Sequence, residues 1–316
     1  MPLPLSPLAA WRAAHASPEP HAPWVRRAAW LHVLGDRGWR VSTQQGDWLM
    51  AAVRLRGVRA LVTPPWALDV GYVGGGLTAE TWQEARRAMR AAGARWAVVD
   101  FAPGVEGVAE SVVGVPGCIC RERHTRWADL RAGVPATRRK QMRRAERAGL
   151  RVEGRSGTAE VGPEAVEEMV DLHQAARERK GIPSDREALR RLLAGCAQDG
   201  QCRFFFVRDA EGRALAGGVM LERTGRDAEP GEVLYAFGGA HRGPQSGLAT
   251  VLMLGSAMEW AAAEGYARWD FGGSQDPGVD RFYEEFGGVR QPKHRVVLWQ
   301  PGWGWVLRLL RPDLFR

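Results

Sequence analysis

Residues 269–288 read WDFGGSQDPGVDRFYEEFGG. A strand over 267–271 runs into a Gly-Gly-Ser turn. A helix then carries Phe282 and Tyr283 and stops at Gly287-Gly288. Upstream, residues 247–265 place Leu248, Val251, Leu252, Leu254 and Met258 at the spacing of an amphipathic helix. Before that helix comes a strand over 233–237, ended by Gly238-Gly239. The predicted order is strand, helix, strand, short helix.

The first half repeats this plan. Residues 85–101 read ARRAMRAAGARWAVVDF and residues 257–271 read AMEWAAAEGYARWDF. Each is an Ala-rich helix closed by glycine (Gly93, Gly265) and followed by a strand with an Arg-Trp pair, Arg95-Trp96 and Arg268-Trp269. Strand, glycine turn and strand appear at 48–62 and again at 203–221. A tyrosine before a glycine cluster appears at 72–76 and at 235–239. Four elements in the same order favour duplication over chance likeness of two Ala/Arg-rich helices. The expected alignment sets Trp96 on Trp269.

Composition narrows the classes. A chain of 316 residues with 45% hydrophobic content can bury one large core or two ordinary ones. No run approaches the ~18 apolar residues of a membrane span. The Pro-rich start, 1–7, lacks the charged segment and apolar stretch of a secretory signal. Cys118, Cys120, Cys196 and Cys202 have neither metal-site spacing nor the density of a disulfide framework, so no metal is expected. The expected location is the cytoplasm. Charge is uneven: between Arg121 and Arg155 twelve Lys/Arg oppose four acids, an excess equal to the +8 of the whole chain. A localised excess implies a localised anionic partner, such as phosphate, nucleic acid or lipid headgroup.

Along the chain, 1–23 is a Pro/Ala/His-bearing lead-in and 24–34 is helical. Antiparallel strands fill 39–62, a helix capped by Thr78 runs to Ala92, a strand covers 94–101, and 102–117 is loop or short helix. A basic helix over 135–148 has Pro at its first turn and Gly149 just past its end. Helices follow at 164–180 and 185–196, then a hairpin over 203–221 and a polar turn over 224–231. The tail, GWGWVLRLLRPDLFR over 302–316, either packs on its parent domain or lies on a membrane surface.

The strand–helix–strand order with the Phe-Tyr helix resembles the acyl-binding half of GNAT-type N-acyltransferases. The Asp-Phe-Gly-Gly-Ser turn and closing Phe-Gly-Gly are closer to the Fem family of peptidoglycan-branching transferases. The likeness covers most of the second half; in the first it rests on architecture and the repeat. It implies an α/β (α+β) fold of two tandem GNAT-like domains, each a mixed central sheet flanked by helices. The expected division is 1–125, 126–300 and a tail of 301–316.

The resemblance also implies site roles. Tyr283, with Phe282, stands where acetyl-CoA-dependent members hold a thiolate-protonating tyrosine; aminoacyl-tRNA-using Fem enzymes usually hold Phe-Lys there. Asp270 stands where an acidic residue near the amine is expected, or only caps its turn. Arg138, Arg139, Lys140 and Arg143 on the basic helix are donor- or acceptor-phosphate candidates, since arginine binds phosphate bidentately. Gly243 and Gly247, in HRGPQSGLA over 241–249, lie where a GNAT pyrophosphate loop would be, although Pro244 and the spacing depart from its pattern. Tyr235, Gly272, Gly273, Ser274 and Arg281 are candidate cleft residues.

The first functional reading is an aminoacyltransferase that forms an amide on a peptidoglycan precursor or another amine-bearing substrate. Its co-substrate would be aminoacyl-tRNA, with no tightly bound cofactor and with peripheral contact of the tail at the inner membrane face. The alternatives are an acyl-CoA-dependent N-acetyltransferase and a non-catalytic RNA- or membrane-surface-binding module.

Overall fold

The computed structural model describes residues 23–315 apart from Gln201, residues 226–230 and Ser274. Most of the lead-in, part of the polar turn and the candidate Ser274 therefore lie outside the described residues. The chain divides into two compact units, Pro23–His124 with Gln291–Arg316, and Thr125–Arg290. Residues 291–300, expected in the second domain, and the tail both fall in unit 1.

Unit 1 begins with α1 (Ala28–Leu34) and the antiparallel strands β1 (Gly38–Ser42), β2 (Gly46–Leu55) and β3 (Val58–Val62). A two-residue strand, β4 (Val73–Gly74), pairs with β2. Helix α2 (Ala79–Ala91) then leads to β5 (Trp96–Asp100), which lies parallel to β3. Thr78 caps α2 as expected, in a capping box with Thr81. Two long strands went unrecognised in the sequence, β6 (Cys118–Asp129) and β12 (Val289–Trp299). β12 runs antiparallel to β5 through Arg295–Trp299.

Unit 2 takes up the chain at Thr125, within β6. It contains α3 (Ala136–Arg147), β7 (Arg151–Ser156), α4 (Pro163–Glu178) and α5 (Arg186–Asp199). Strands β8 (Cys202–Arg208), β9 (Ala214–Arg223) and β10 (Glu232–Ala240) follow. Then come α6 (Ser246–Ala263), β11 (Arg268–Asp270) and α7 (Pro277–Glu284). β7, β8, β9 and β10 pair antiparallel in turn; β10 lies parallel to β11, and β11 antiparallel to β6.

Each unit thus contains a parallel strand pair joined through a helix, β3–α2–β5 and β10–α6–β11, with an antiparallel strand beyond the second member. The helix ends match too. Gly93 and Gly265 both take positive φ, and the next residue's N–H returns to a carbonyl five residues back, Ala94 to Met89 and Tyr266 to Ala261.

The expected Trp96–Trp269 equivalence is corrected. Ala97, Val99 and Phe101 pack on the α2 side of the unit 1 sheet, whereas Trp96 packs on the other face with Val98, Leu307 and Leu314. Trp269 and Phe271 both pack on the α6 side. Side chains alternate along a strand, so the corresponding pairs are Asp100-Phe101 and Asp270-Phe271, and the Arg-Trp match is out of register.

The tail forms α8 (Gly304–Leu310) and a 3-10 turn, Pro312–Leu314. Leu307 and Leu314 are buried against the Trp96 face, while Trp305 and Leu309 stay exposed. Among the described residues, no helix is long and apolar enough to cross a membrane.

Candidate active site

β10 and β11 pair only over Glu232–Leu234 and Arg268–Asp270. Beyond Leu234, β10 continues to Ala240 with a bulge between Tyr235 and Phe237, while the chain after Asp270 turns off through Gly272-Gly273. Both glycines have positive φ, +78° and +74°, which side chains at these positions would strain. The parallel strands therefore part, and the β11 side of β10 has no strand partner after Leu234 among the described residues. An unpaired edge of backbone N–H groups can receive an acyl carbonyl.

Tyr283, on α7, borders this opening. Its ring stacks on Phe271 at 4.8 Å and meets the Tyr235 ring edge-on at 6.4 Å. Its hydroxyl has no hydrogen-bond partner among the described residues. Burial, then the neighbouring Tyr235 and Asp270, push the phenol well above its ordinary range, and burial does the same to Tyr235. Both phenols are proton-bearing hydrogen-bond donors at neutral pH. The Tyr235 side chain folds back over Gly238, where a Cβ would overlap its hydroxyl.

The other candidates take different places. Asp270 is buried; one of its oxygens accepts from Thr125 Oγ1 at 2.6 Å and from the Gly272 N–H at 2.8 Å, so it holds the turn. Phe282 packs under the Arg138 guanidinium, 4.7 Å from its ring centre, and against Phe286. Arg281 is exposed and pairs with Glu285 at 3.3 Å. A Cβ at Gly247 would meet nothing within 4 Å, and one at Gly243 only Ser246 Oγ at 3.6 Å. Sterics do not require glycine there, and the adjoining N-terminus of α6 has no side-chain cap.

The basic run does not form one patch. Arg126 is buried in a two-bond pair with Asp280 (2.6 and 2.9 Å), and its third bond goes to the Gly288 carbonyl. Arg131 pairs with Asp129 and Arg155 with Glu153. Arg138 is 5% exposed and spends its charge on Glu285, Gln141 and the Phe282 and Phe286 rings. It occupies the inward stripe of α3 with Met142 and Ala145. Met142 rests on α6 at Gly255, where a Cβ would lie 2.3 Å from its sulfur. The outward face keeps Arg139, Lys140, Arg143 and Arg144 exposed, without an acidic partner among the described residues.

Three residues at this site carried no recognised sequence signal. Arg179 donates to the Ala240 carbonyl at 2.6 Å, and Lys180 pairs with Asp276, the cap of α7, at 3.1 Å. They tie the end of α4 to both lips of the opening. His173 Nδ1 lies 3.2 Å from the Gly238 carbonyl, so the neutral ring donates from Nδ1 and leaves Nε2 buried without a partner.

Burial lowers His173 to about 4 from 6.5, opposed by the Gly238 bond and helped by Arg177. Because its folded value is depressed, protons bind the unfolded chain preferentially below pH 6.5. Its contribution to stability is complete above that pH and is lost as the pH falls toward 4. Denaturant titrations are expected to show wild type losing on the order of 1 kcal/mol more than His173→Gln between about pH 7 and about pH 5. Equal losses would remove His173 from the acid response.

Residues 136–283 match the family model described as an acetyltransferase (GNAT) domain. The fold is similar to that of a solved FemX structure, with a TM-score of 0.60 at 14% identity over 90% of this chain and 95% of that one. L-PGS from Bacillus licheniformis gives 0.58 at 12% identity over 89% and 90%. A tandem GNAT protein from the clavulanic acid biosynthesis pathway gives 0.54 at 13% identity over 82% and 81%. The search of curated proteins finds no match. The matched domain is that of an acyltransferase, and the fold of the chain is similar to that of tandem GNAT proteins.

Proposed function

We propose that the protein is a Fem-like aminoacyltransferase that forms an amide on an amine of a peptidoglycan precursor, with aminoacyl-tRNA as donor. The observation that carries this reading is the outward face of α3, whose Arg139, Lys140, Arg143 and Arg144 have no acidic partner among the described residues. Such a row suits a polyanion better than a single pyrophosphate. The likeness to FemX over nearly the whole of both chains supports it as a fold-level analogy.

In this reading the acyl carbonyl lies on the open edge of β10. The amine nitrogen attacks it, and the Tyr283 hydroxyl donates a hydrogen bond to the developing charge. The acyl C–O ester bond then breaks, and the ribose oxygen leaves as a hydroxyl with the proton that the attacking amine gives up. Arg179 and Lys180 keep the lips of the opening in place. Contact of the tail with the inner membrane face through Trp305 and Leu309 belongs to the same proposal.

The test is amide formation on an amine-bearing muropeptide, read by mass spectrometry, with charged tRNA and with acetyl-CoA in parallel. Product from charged tRNA is expected. Product from acetyl-CoA alone would establish the second reading, an acyl-CoA-dependent N-acetyltransferase. That reading is favoured by the uncapped α6 N-terminus with space at Gly243 and Gly247. No product from either donor would defeat both.

Reversing Arg139 and Arg143 to Glu is expected to weaken tRNA binding and to flatten its salt dependence by roughly 0.7–0.9 log units per lost contact. Unfolding free energy should stay within about 0.5 kcal/mol, because both residues are exposed. Unchanged affinity in a filter-binding salt series would return this face to plain solvation.

A further inference from the structure

Unit 1 has a cavity of its own, of about 410 Å³, on the sheet face opposite α2. Val53, Val62, Trp96 and Val98 line it, and Leu314 of the tail closes one side. This size is within the ordinary range for small-ligand sites.

Its polar lining is unbalanced. Arg54, Arg295 and Arg311 line the cavity beside a single carboxylate, Asp100. Arg295 holds Asp100 through two bonds, 2.8 and 3.0 Å, and Thr63 Oγ1 adds a third at 3.0 Å, so this carboxylate is fully engaged. Arg311 pairs with Asp313 at the surface, and Arg54 is exposed without an acidic partner among the described residues. Behind them Arg123 binds its proton less tightly than usual, through burial and the nearby charge of Arg295. Positive charge therefore exceeds what the unit neutralises.

The floor is apolar: Trp96 and Val98 are buried, and Val53 and Val62 beside them are half-buried.

We propose that this cavity binds a small amphipathic anion, its phosphate or carboxylate head among Arg54, Arg295 and Arg311 and its apolar part over Trp96 and Val98. The head replaces the missing counter-charge, and the apolar part fills the space beside the half-buried Val53 and Val62, between the strands and the tail. The site lies wholly in unit 1 and does not depend on the transfer reaction assigned to unit 2.

Calorimetric titration of the full chain with hexyl phosphate, inorganic phosphate and 1-hexanol tests it. Hexyl phosphate should bind at least about tenfold more tightly than either fragment. Two variants check the location: Arg54→Gln with Arg311→Gln removes head contacts at the surface, and Val53→Trp fills the floor. Each should weaken hexyl phosphate about tenfold or more while the thermal midpoint shows the fold retained. Hexyl phosphate no tighter than inorganic phosphate, or tight binding that both folded variants keep, would overturn the proposal. Once tight binding is seen, phosphatidylcholine vesicles with and without phosphatidylglycerol separate the sources. Sedimentation that needs phosphatidylglycerol and is lost in both variants assigns the head to a membrane lipid; its absence assigns the site to a free amphiphile.

Discussion

Tyr283→Phe is expected to lower turnover about 10²-fold with aminoacyl-tRNA, the usual cost of removing one donor to a developing oxyanion. The loss should be greater with an acyl-CoA donor, where a departing thiolate also needs a proton. The ring itself should remain in place, because its stacking on Phe271 and edge contact with Tyr235 do not use the hydroxyl. Melting temperature is therefore expected to hold while kcat falls. The pH profile adds a second check. Burial and the adjacent Tyr235 and Asp270 raise the phenol, so no gain in rate through phenolate formation is expected up to about pH 10. Full activity of the Phe variant with both donors would reduce Tyr283 to a packing residue.

Asp280→Ala should produce the largest loss of stability. It strips the counter-charge from Arg126, whose side chain is only 6% exposed, beside an aspartate only 7% exposed. Breaking one partner of a buried pair typically costs about 3–5 kcal/mol, because the remaining charge is stranded. The pair joins β6 to α7, and Arg126 also holds the Gly288 carbonyl where α7 ends. The variant should therefore loosen the helix that carries Tyr283 and lose activity together with stability. Replacing both residues, Arg126→Met with Asp280→Leu, is expected to recover much of the loss. A change below about 1 kcal/mol in urea titration of Asp280→Ala would mean that Arg290 and Glu284, which also contact the pair, govern this region instead.

Local patterns in the sequence located α2, α6, β10, β11 and the turn at Gly272-Gly273. Glycine stops, a threonine cap and apolar periodicity act over a few residues, so they survive without knowledge of the fold. β6 and β12 escaped because CICRERHTRWAD and VRQPKHRVVLW carry many charged residues and no clean alternation. Such segments become strands only when neighbouring strands take their backbone bonds and carboxylates take their guanidinium groups.

Arg138 could have been separated from its neighbours on spacing alone. It stands four residues before Met142 and seven before Ala145, on the inward stripe of α3. The repeat was also legible, but its register was not. Matching Arg-Trp to Arg-Trp ignored that Trp96 stands an odd number of residues before Phe101, while Trp269 stands two before Phe271.

Local pattern in the chain was thus enough for the repeated helix–strand plan around α2 and α6 and for the place of the Phe-Tyr helix, because caps, glycine stops and apolar spacing act between near neighbours. Tertiary structure alone decided which arginines remain free, that Asp270 is engaged with Thr125, and that His173, Arg179 and Lys180 adjoin the opening of β10. Those facts depend on which groups meet across tens to hundreds of positions, and burial and pairing of charge are settled only there.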